Sequence, residues 1–235
     1  MPLNLDGTLR RAHEVSITRS MKSETEKPDR FAYERTLWEA GKLHVAGVDE
    51  VGRGPLAGPV IACAVILPHD FDDTGITDSK KMTEAARERA YTRLCNEAVA
   101  YALGILDAPE IDRLNILRAT HQAMRLALAA LSVAPDAVLV DGLPVPNLHV
   151  NSTAIVKGDS LSASIAAASI IAKVTRDRYM AGEAHTAYPV YGFAGHKGYP
   201  APTHLAALVE HGPCPLHRRS FGPVAQVALC FDDAA

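Results

Sequence analysis

The chain contains no run of 18 or more apolar residues, which excludes a membrane-spanning helix. Its first 30 residues lack the continuous apolar segment of a secretory signal. Cysteine is scarce: Cys63, Cys95, Cys214 and Cys230 stand far apart with no paired spacing, which argues against a disulfide frame and fits reduced thiols in a cytoplasm. Net charge is small, −3 over 235 residues, so the molecule taken whole has no long-range attraction for a polyanion. No internal repeat appears, and nothing divides the chain into two domains.

What is present is the composition of one globular domain, 48% hydrophobic and 22% charged, able to bury a full core. The stretch MKSETEKPDR offers almost nothing to bury, so residues 1–42 read as a polar, poorly ordered lead-in. Apolar runs then alternate with amphipathic ones. Leu43 to Val48 and Val60 to Leu67 read as neighbouring buried strands separated by a Gly and Pro turn. Thr83 caps a helix through Asn96, and Val99 to Leu106 is a third strand. Asn115 to Leu131 is a helix with Ile116, Ala123, Met124, Ala127 and Leu131 inward. Ala137 to Val140 and Ala154 to Val156 are short strands. Ser162 to Tyr179 is a helix whose small residues, SASIAAAS, allow close packing on a sheet. This order predicts an α/β protein with a central mixed β-sheet flanked by helices.

Three of these strands run into acids: the first into Asp49 and Glu50, the fourth into Asp141, the fifth through Lys157 and Gly158 to Asp159. Open α/β sheets place their sites at the carboxyl ends of strands. Adjacent acids on a strand point to opposite sides unless the strand ends there, and an acidic cluster repels itself unless a cation sits beside it. Oxygen ligands of this kind suit Mg²⁺ or Mn²⁺ rather than zinc. Two such ions about 3.5 to 4 Å apart activate a water and stabilise the leaving oxygen of a phosphodiester. Spacing alone leaves a plainer alternative open, since single acids at strand ends also cap the helix that follows.

Three further patterns carry less. His211, Cys214 and His217 recur at every third position like zinc ligands, but no fourth ligand is evident, and Pro213 and Pro215 suit a rigid loop. Gly158 to Leu161 spell the nucleophile motif of GDSL esterases, yet they fall mid-chain and no Asp precedes a His by three residues. Between Gly142 and Arg219 there are seven Lys or Arg against four Asp or Glu, which reads as a local basic face or as an ordinary solvated surface.

Longer motifs stand in order along the chain: GVDEVGRGPLAGPV from Gly47, DSKKM from Asp78, VDG from Val140, KGD from Lys157, AASIIAKVTRD from Ala167, YGFAGHKGYP from Tyr191 and HRRSFGPV from His217. Together they closely resemble bacterial ribonuclease HII across residues 43–224, which marks that stretch as the catalytic domain. The resemblance implies a ribonuclease H-like fold with a helical C-terminal part. It implies an endonuclease that hydrolyses the RNA strand of RNA–DNA hybrids and nicks DNA duplexes 5′ of a misincorporated ribonucleotide, leaving 3′-hydroxyl and 5′-phosphate ends. The implied role is ribonucleotide removal from DNA.

Carried over by position, the resemblance assigns Asp49, Glu50, Asp141 and Asp159 to a two-metal site for Mn²⁺ or Mg²⁺. Asp177, in KVTRD, is the rival for the fourth place and reads as a helix-surface acid four residues after Lys173. Gly52, Arg53 and Gly54 form a lean turn whose backbone can approach a ribose 2′-hydroxyl, a role that rests mainly on the resemblance. Tyr199 matches the family tyrosine that packs on the following sugar. Ser79, Lys80 and Lys81 before a helix, and Ser169 with Lys173 on one helix face, read as phosphate contacts.

Arg53 and the short lead-in favour ribonuclease HII over HIII, which usually has lysine in that turn and an extra N-terminal domain. PDRFAYERTLWEAGK, residues 28–42, resembles the short helix that precedes the family's first strand, and Met21 is an alternative start that leaves residues 1–20 in question. Residues 225–235 form a tail in which Gln226 to Phe231 resemble the peptides that bind bacterial sliding clamps. The protein is expected to be a cytoplasmic monomer. The alternative from another class is a non-catalytic binder of hybrid duplexes. The four acids count against it, because acids repel phosphate unless metal intervenes.

Overall fold

The computed structural model describes residues 29–232. The lead-in up to residue 28, with Met21 and residues 1–20, lies outside the described residues, as does the end of the tail. Helix α1 (Ala32–Glu39) leads into strand β1 (Val45–Val51), and β2 (Val60–Ile66) returns antiparallel beside it. Helix α2 (Glu84–Glu97) is followed by β3 (Ala100–Leu106), antiparallel to β2. Helices α3 (Ala108–Leu114) and α4 (Ile116–Ala129) precede β4 (Ala137–Asp141), which pairs parallel with β1. Strand β5 (Ser152–Ile155) pairs parallel with β4 and closes a mixed sheet in the order β3-β2-β1-β4-β5. Helices α5 (Gly158–Leu161), α6 (Ala163–Ala181), α7 (Glu183–Ala187), α8 (Phe193–His196), α9 (Pro202–His211) and α10 (Gly222–Asp232) make the C-terminal part helical, as expected. Among the described residues no helix is long and apolar enough to cross a membrane.

Local chemistry sets the helix starts. The side chains of Thr83, Asn115 and Ser162 accept the Ala86, Arg118 and Ile165 amides, capping α2, α4 and α6. Helix α3 was not expected. Asp107 caps it by accepting the Glu110 amide at 3.0 Å, and Pro109 sits in its first turn, where a missing amide does no harm. Strand β1 also runs further than its apolar stretch, because Glu50 pairs with Ala62 and Val51 with Ile61. Asp49 and Glu50 therefore lie inside a strand and point to opposite faces.

Each face of the sheet has its own helix layer. Ala166, Ala167, Ala168, Ile170 and Ile171 of α6 pack with Cys63 and Val65 of β2. Ala119, Ala123, Met124 and Ala127 of α4 cover Val48, Ala62 and Val140 on the other side. The α6 backbone at Ser164 comes so close to β1 that a methyl at Gly47 would overlap the Ser164 carbonyl, and α4 approaches β3 in the same way at Gly104. Gly47→Ala is therefore expected to destabilise the fold by about 2–3 kcal/mol in denaturant unfolding. A loss under about 0.5 kcal/mol would show that the helix has room to move. Helix α1 is tied to the same point: fully buried Glu34 accepts the Ser162 hydroxyl at 2.6 Å and the Ser164 amide at 3.0 Å.

Candidate active site

Strands β1, β4 and β5 are parallel neighbours, so their carboxyl ends share one edge of the sheet. Asp49, 5% exposed, stands near the end of β1, Asp141 ends β4, and Asp159 lies in the first turn of α5 just beyond β5. Burial holds the Asp49 carboxyl well above the usual carboxylate range, and the charges of Glu50 and Asp141 push it further. Glu50 is raised by burial against the pull of Arg53, whose guanidinium lies 3.2 Å away. Asp141 is raised by burial and by Asp159, while Lys80 draws it down. The four acids thus feel one another in a row.

The plainer reading of Asp141 is also true, since its Oδ1 accepts the Gly158 amide at 2.7 Å and so caps α5. Asp49 turns one oxygen to the Glu50 amide at 2.6 Å. Among the described residues no three His, Cys, Asp or Glu side chains close into a ready-made metal cage. The donor set nevertheless fits a hard divalent cation: it is all oxygen, its members repel one another, and among the described residues no cation is paired with Asp49. Asp177 stands apart on α6, paired with Lys173 at 2.8 Å. The Asp159 carbonyl is held at 3.1 Å by Arg30, which also donates to the Ile76 carbonyl.

Beside the acids lies the glycine turn. Gly52 has φ +91°, and a methyl there would strike the Arg176 side chain and the Pro59 carbonyl, so the position admits only glycine. Two arginines that the sequence reading passed over hold this turn. Arg218, fully buried, donates to the carbonyls of Gly52 (2.6 Å), Arg53 (3.1 Å) and Gly58 (2.8 and 3.0 Å). Arg176, equally buried, donates to Ala57, Pro59 and Lys197 carbonyls at 2.9–3.0 Å. Burial, with no ion-pair partner among the described residues, lowers them to about 9 and about 10 respectively. Their only early signals were the KVTRD and HRRSF motifs. Tyr199, 39% exposed, has its ring edge 3.8 Å from where a Gly54 side chain would begin, with the Arg176 guanidinium 5.9 Å from its centroid.

The histidine-rich loops support Tyr199. The Cys214 amide donates to His217 Nδ1 at 3.0 Å, so His217 carries its proton on Nε2 and gives it to His204 Nε2 at 3.0 Å. His204 then donates from Nδ1 to the Tyr199 carbonyl at 2.9 Å. Cys214 and His217 are thus spent on hydrogen bonds, and half-exposed His211 stands beside Glu210 instead. Burial, and then His204, pulls His217 down to about 4. This neutral ring stabilises the fold above its unfolded value of 6.5, and that stability is lost as the pH falls toward 4. Imidazole NMR at pH 5.5 is expected to report His217 neutral, and protonation near pH 6.5 would contradict the chain.

The other expected contacts differ in exposure. Ser79 and Ser169 are buried and bonded to each other at 2.9 Å, with Ser169 against Asp49, whose pKa it draws down. Ser169 thereby links Ser79 to the Asp49 carboxyl. Lys80 and Lys81 are exposed, Lys81 being 3.3 Å from Asp78, while Lys173 is half-buried in its pair with Asp177. Of the seven Lys or Arg between Gly142 and Arg219, Arg176 and Arg218 are buried, Lys173 is paired with Asp177 and Arg178 with Glu88, which favours the ordinary-surface reading of that stretch over a basic face. Gly158 to Leu161, the esterase-like stretch, is the turn α5, and Ser160 has Asp159 rather than a histidine as its side-chain partner. Gln226 to Phe231 belong to α10, with Ala228 buried and Leu229 and Phe231 exposed.

The family model of Ribonuclease HII matches residues 46–224. A Ribonuclease HII of Desulfitobacterium hafniense is 53% identical over 193 residues, 82% of this chain and 74% of that one. One from Acidovorax sp. is 57% identical over 182 residues, 77% of this chain and 87% of that one. The ribonuclease H2 of Pyrococcus horikoshii superposes with a TM-score of 0.69 at 28% identity, covering 80% of this chain and 98% of its own. With a match over most of its length and the acids and glycine turn side by side at the sheet edge, the chain belongs to the ribonuclease HII family.

Proposed function

We propose that the ribonuclease H endonuclease activity of this family member is directed at RNA–DNA hybrids and at single ribonucleotides in duplex DNA, cut on their 5′ side. The observation that carries the reading is the row of four carboxylates beside a glycine turn pinned from within. Asp49, Glu50, Asp141 and Asp159 would hold the divalent ions, Mg²⁺ or Mn²⁺. Two such ions, when bound, supply an activated water and charge for the leaving 3′-oxygen, giving 3′-hydroxyl and 5′-phosphate ends.

The chain's own residues do the positioning. Because Arg218 takes up the Gly52 and Arg53 carbonyls, the turn is left to present its N–H groups to a ribose 2′-hydroxyl, the group that separates RNA from DNA. Tyr199, held through His204 and flanked by Arg176, offers its ring to the sugar that follows. Lys80, whose charge reaches Asp141, and Lys81 would meet phosphates on the same edge, with Lys173, Ser79 and Ser169 as further substrate contacts and Ser169 also supporting Asp49. One chain supplies all four acids, so a monomer suffices. The exposed Leu229 and Phe231 support a sliding-clamp contact through Gln226 to Phe231. Loss of clamp binding on deleting residues 226–235 is the expected result, and unchanged binding would dispose of that contact.

The test is a labelled DNA duplex with one ribonucleotide beside an all-DNA control, given Mg²⁺, Mn²⁺ or chelator, with the cut mapped to the nucleotide. A metal-dependent nick immediately 5′ of the ribonucleotide and none in the control is expected. Binding without cleavage under either metal would replace the nuclease with the binding-module alternative.

A further inference from the structure

Ion pairs take up Arg35, Arg93 and Arg178 at the surface. Three arginines on the α4 side of the sheet have no such partner among the described residues. Arg113, at the end of α3, and Arg118 and Arg125 on α4 stand with His121 around one open cleft of about 690 Å³, where Glu110 is the acid on the lining. Arg125 is oriented by neutral oxygens alone: Gln122 Oε1 at 2.8 and 3.2 Å and the Pro146 carbonyl at 3.1 Å. Its side chain is fixed while its charge stays uncompensated.

The cleft lies at the working end of the sheet. Strands β1 and β3 are both antiparallel to β2, so the end of β3, helix α3 and the first turn of α4 share the edge that carries Asp49. The opposite wall, at Pro146 and Asn147, belongs to the crossover that leaves Asp141 for β5. Arg53 of the glycine turn is near enough to act on the charge of His121. From Arg118 to Arg125 the helix rises about 10 Å at 1.5 Å per residue. That is the axial length of about three phosphates of one strand at 3.4 Å each.

We propose that this cleft between α4 and the residue 142–151 crossover binds the phosphate backbone of the duplex flanking the cleavage point, through Arg113, Arg118 and Arg125. The inference rests on the nuclease reading of the carboxylates and adds a second contact surface to it. Backbone contacts of this kind position a duplex without reading its sequence, so they act on KM and leave kcat alone.

The test is the double variant R113S/R118S, with Arg125 kept because it also braces the crossover. Both positions are exposed, so the fold is expected to survive. Nicking kinetics on a single-ribonucleotide duplex and anisotropy binding to an all-DNA duplex are followed from 50 to 200 mM salt. The expected result is KM up about tenfold, kcat within twofold, and a salt slope shallower by about 2, near 0.9 per lost phosphate contact. An unchanged KM and salt slope, with wild-type nicking intact, overturns the cleft and leaves the nuclease reading standing. If the wild type binds but does not nick, the nuclease reading fails and the all-DNA binding slope alone decides the cleft.

Discussion

Asp49→Asn is expected to lower cleavage by about 1000-fold while raising the stability of the metal-free protein at pH 7. Both effects come from one fact: a 95% buried carboxylate feels the negative charges of Glu50 and Asp141 with no cation paired to it among the described residues. Its folded pKa is raised, so the native state binds the proton more tightly than the unfolded chain does. Stability is then lost as pH rises above the ordinary carboxylate value. An amide of the same shape removes that repulsion, and the gain is expected to be of the size that single favourable substitutions commonly give, about 0.5–2 kcal/mol. Saturating Mn²⁺ should stabilise the wild type and leave the variant almost unmoved, because the linkage acts only where the ion binds. The activity loss has the size seen when a group stabilising transition-state charge is removed. A lower melting temperature for the variant in chelator would show that Asp49 is a structural acid.

The second large effect is at Arg218. Arg218→Met keeps the unbranched stem but removes the guanidinium, and so strands the Gly52, Arg53 and Gly58 carbonyls inside the protein. Each buried unpaired carbonyl costs about 1–3 kcal/mol, so a loss of about 3–5 kcal/mol is expected. Cleavage should fall at least about 100-fold in the fraction that stays folded, because the glycine turn loses its inner anchor. Arg218→Lys should recover only part of either, since one ammonium cannot match a guanidinium fork that serves three carbonyls. Thermal unfolding and single-turnover nicking measure the two separately. Near-wild-type turnover in a folded Arg218→Met protein would mean that the turn holds its shape without the anchor.

Much of this was legible in the residues. Asp141 and Asp159 could be placed because short apolar runs stop at them, Thr83 announced its helix as a cap, and the helix starts at Asn115 and Ser162 proved to be caps as well. What escaped was long-range. Arg176 and Arg218 reach carbonyls more than a hundred residues away, and a charged side chain carries no local sign that it will be buried. For the same reason a tally of charges along the chain could not choose between a basic face and an ordinary surface around Arg176 and Arg218, since it does not know which charges are spent inside or paired. Strand β1 outran its apolar stretch because pairing with β2, not hydrophobicity, decides where it ends.

The assignment of the fourth acid is the point on which the site turns, and one comparison decides it. Asp159→Asn and Asp177→Asn are assayed on the same single-ribonucleotide duplex at saturating Mn²⁺. Asp159 sits at the strand edge within reach of Asp141, whereas Asp177 is paired with Lys173 on α6. Loss of about 100-fold or more in Asp159→Asn, with Asp177→Asn within about threefold of wild type, is the predicted result. The reverse order, an active Asp159→Asn beside an inactive Asp177→Asn, would contradict the four-carboxylate site proposed for this protein.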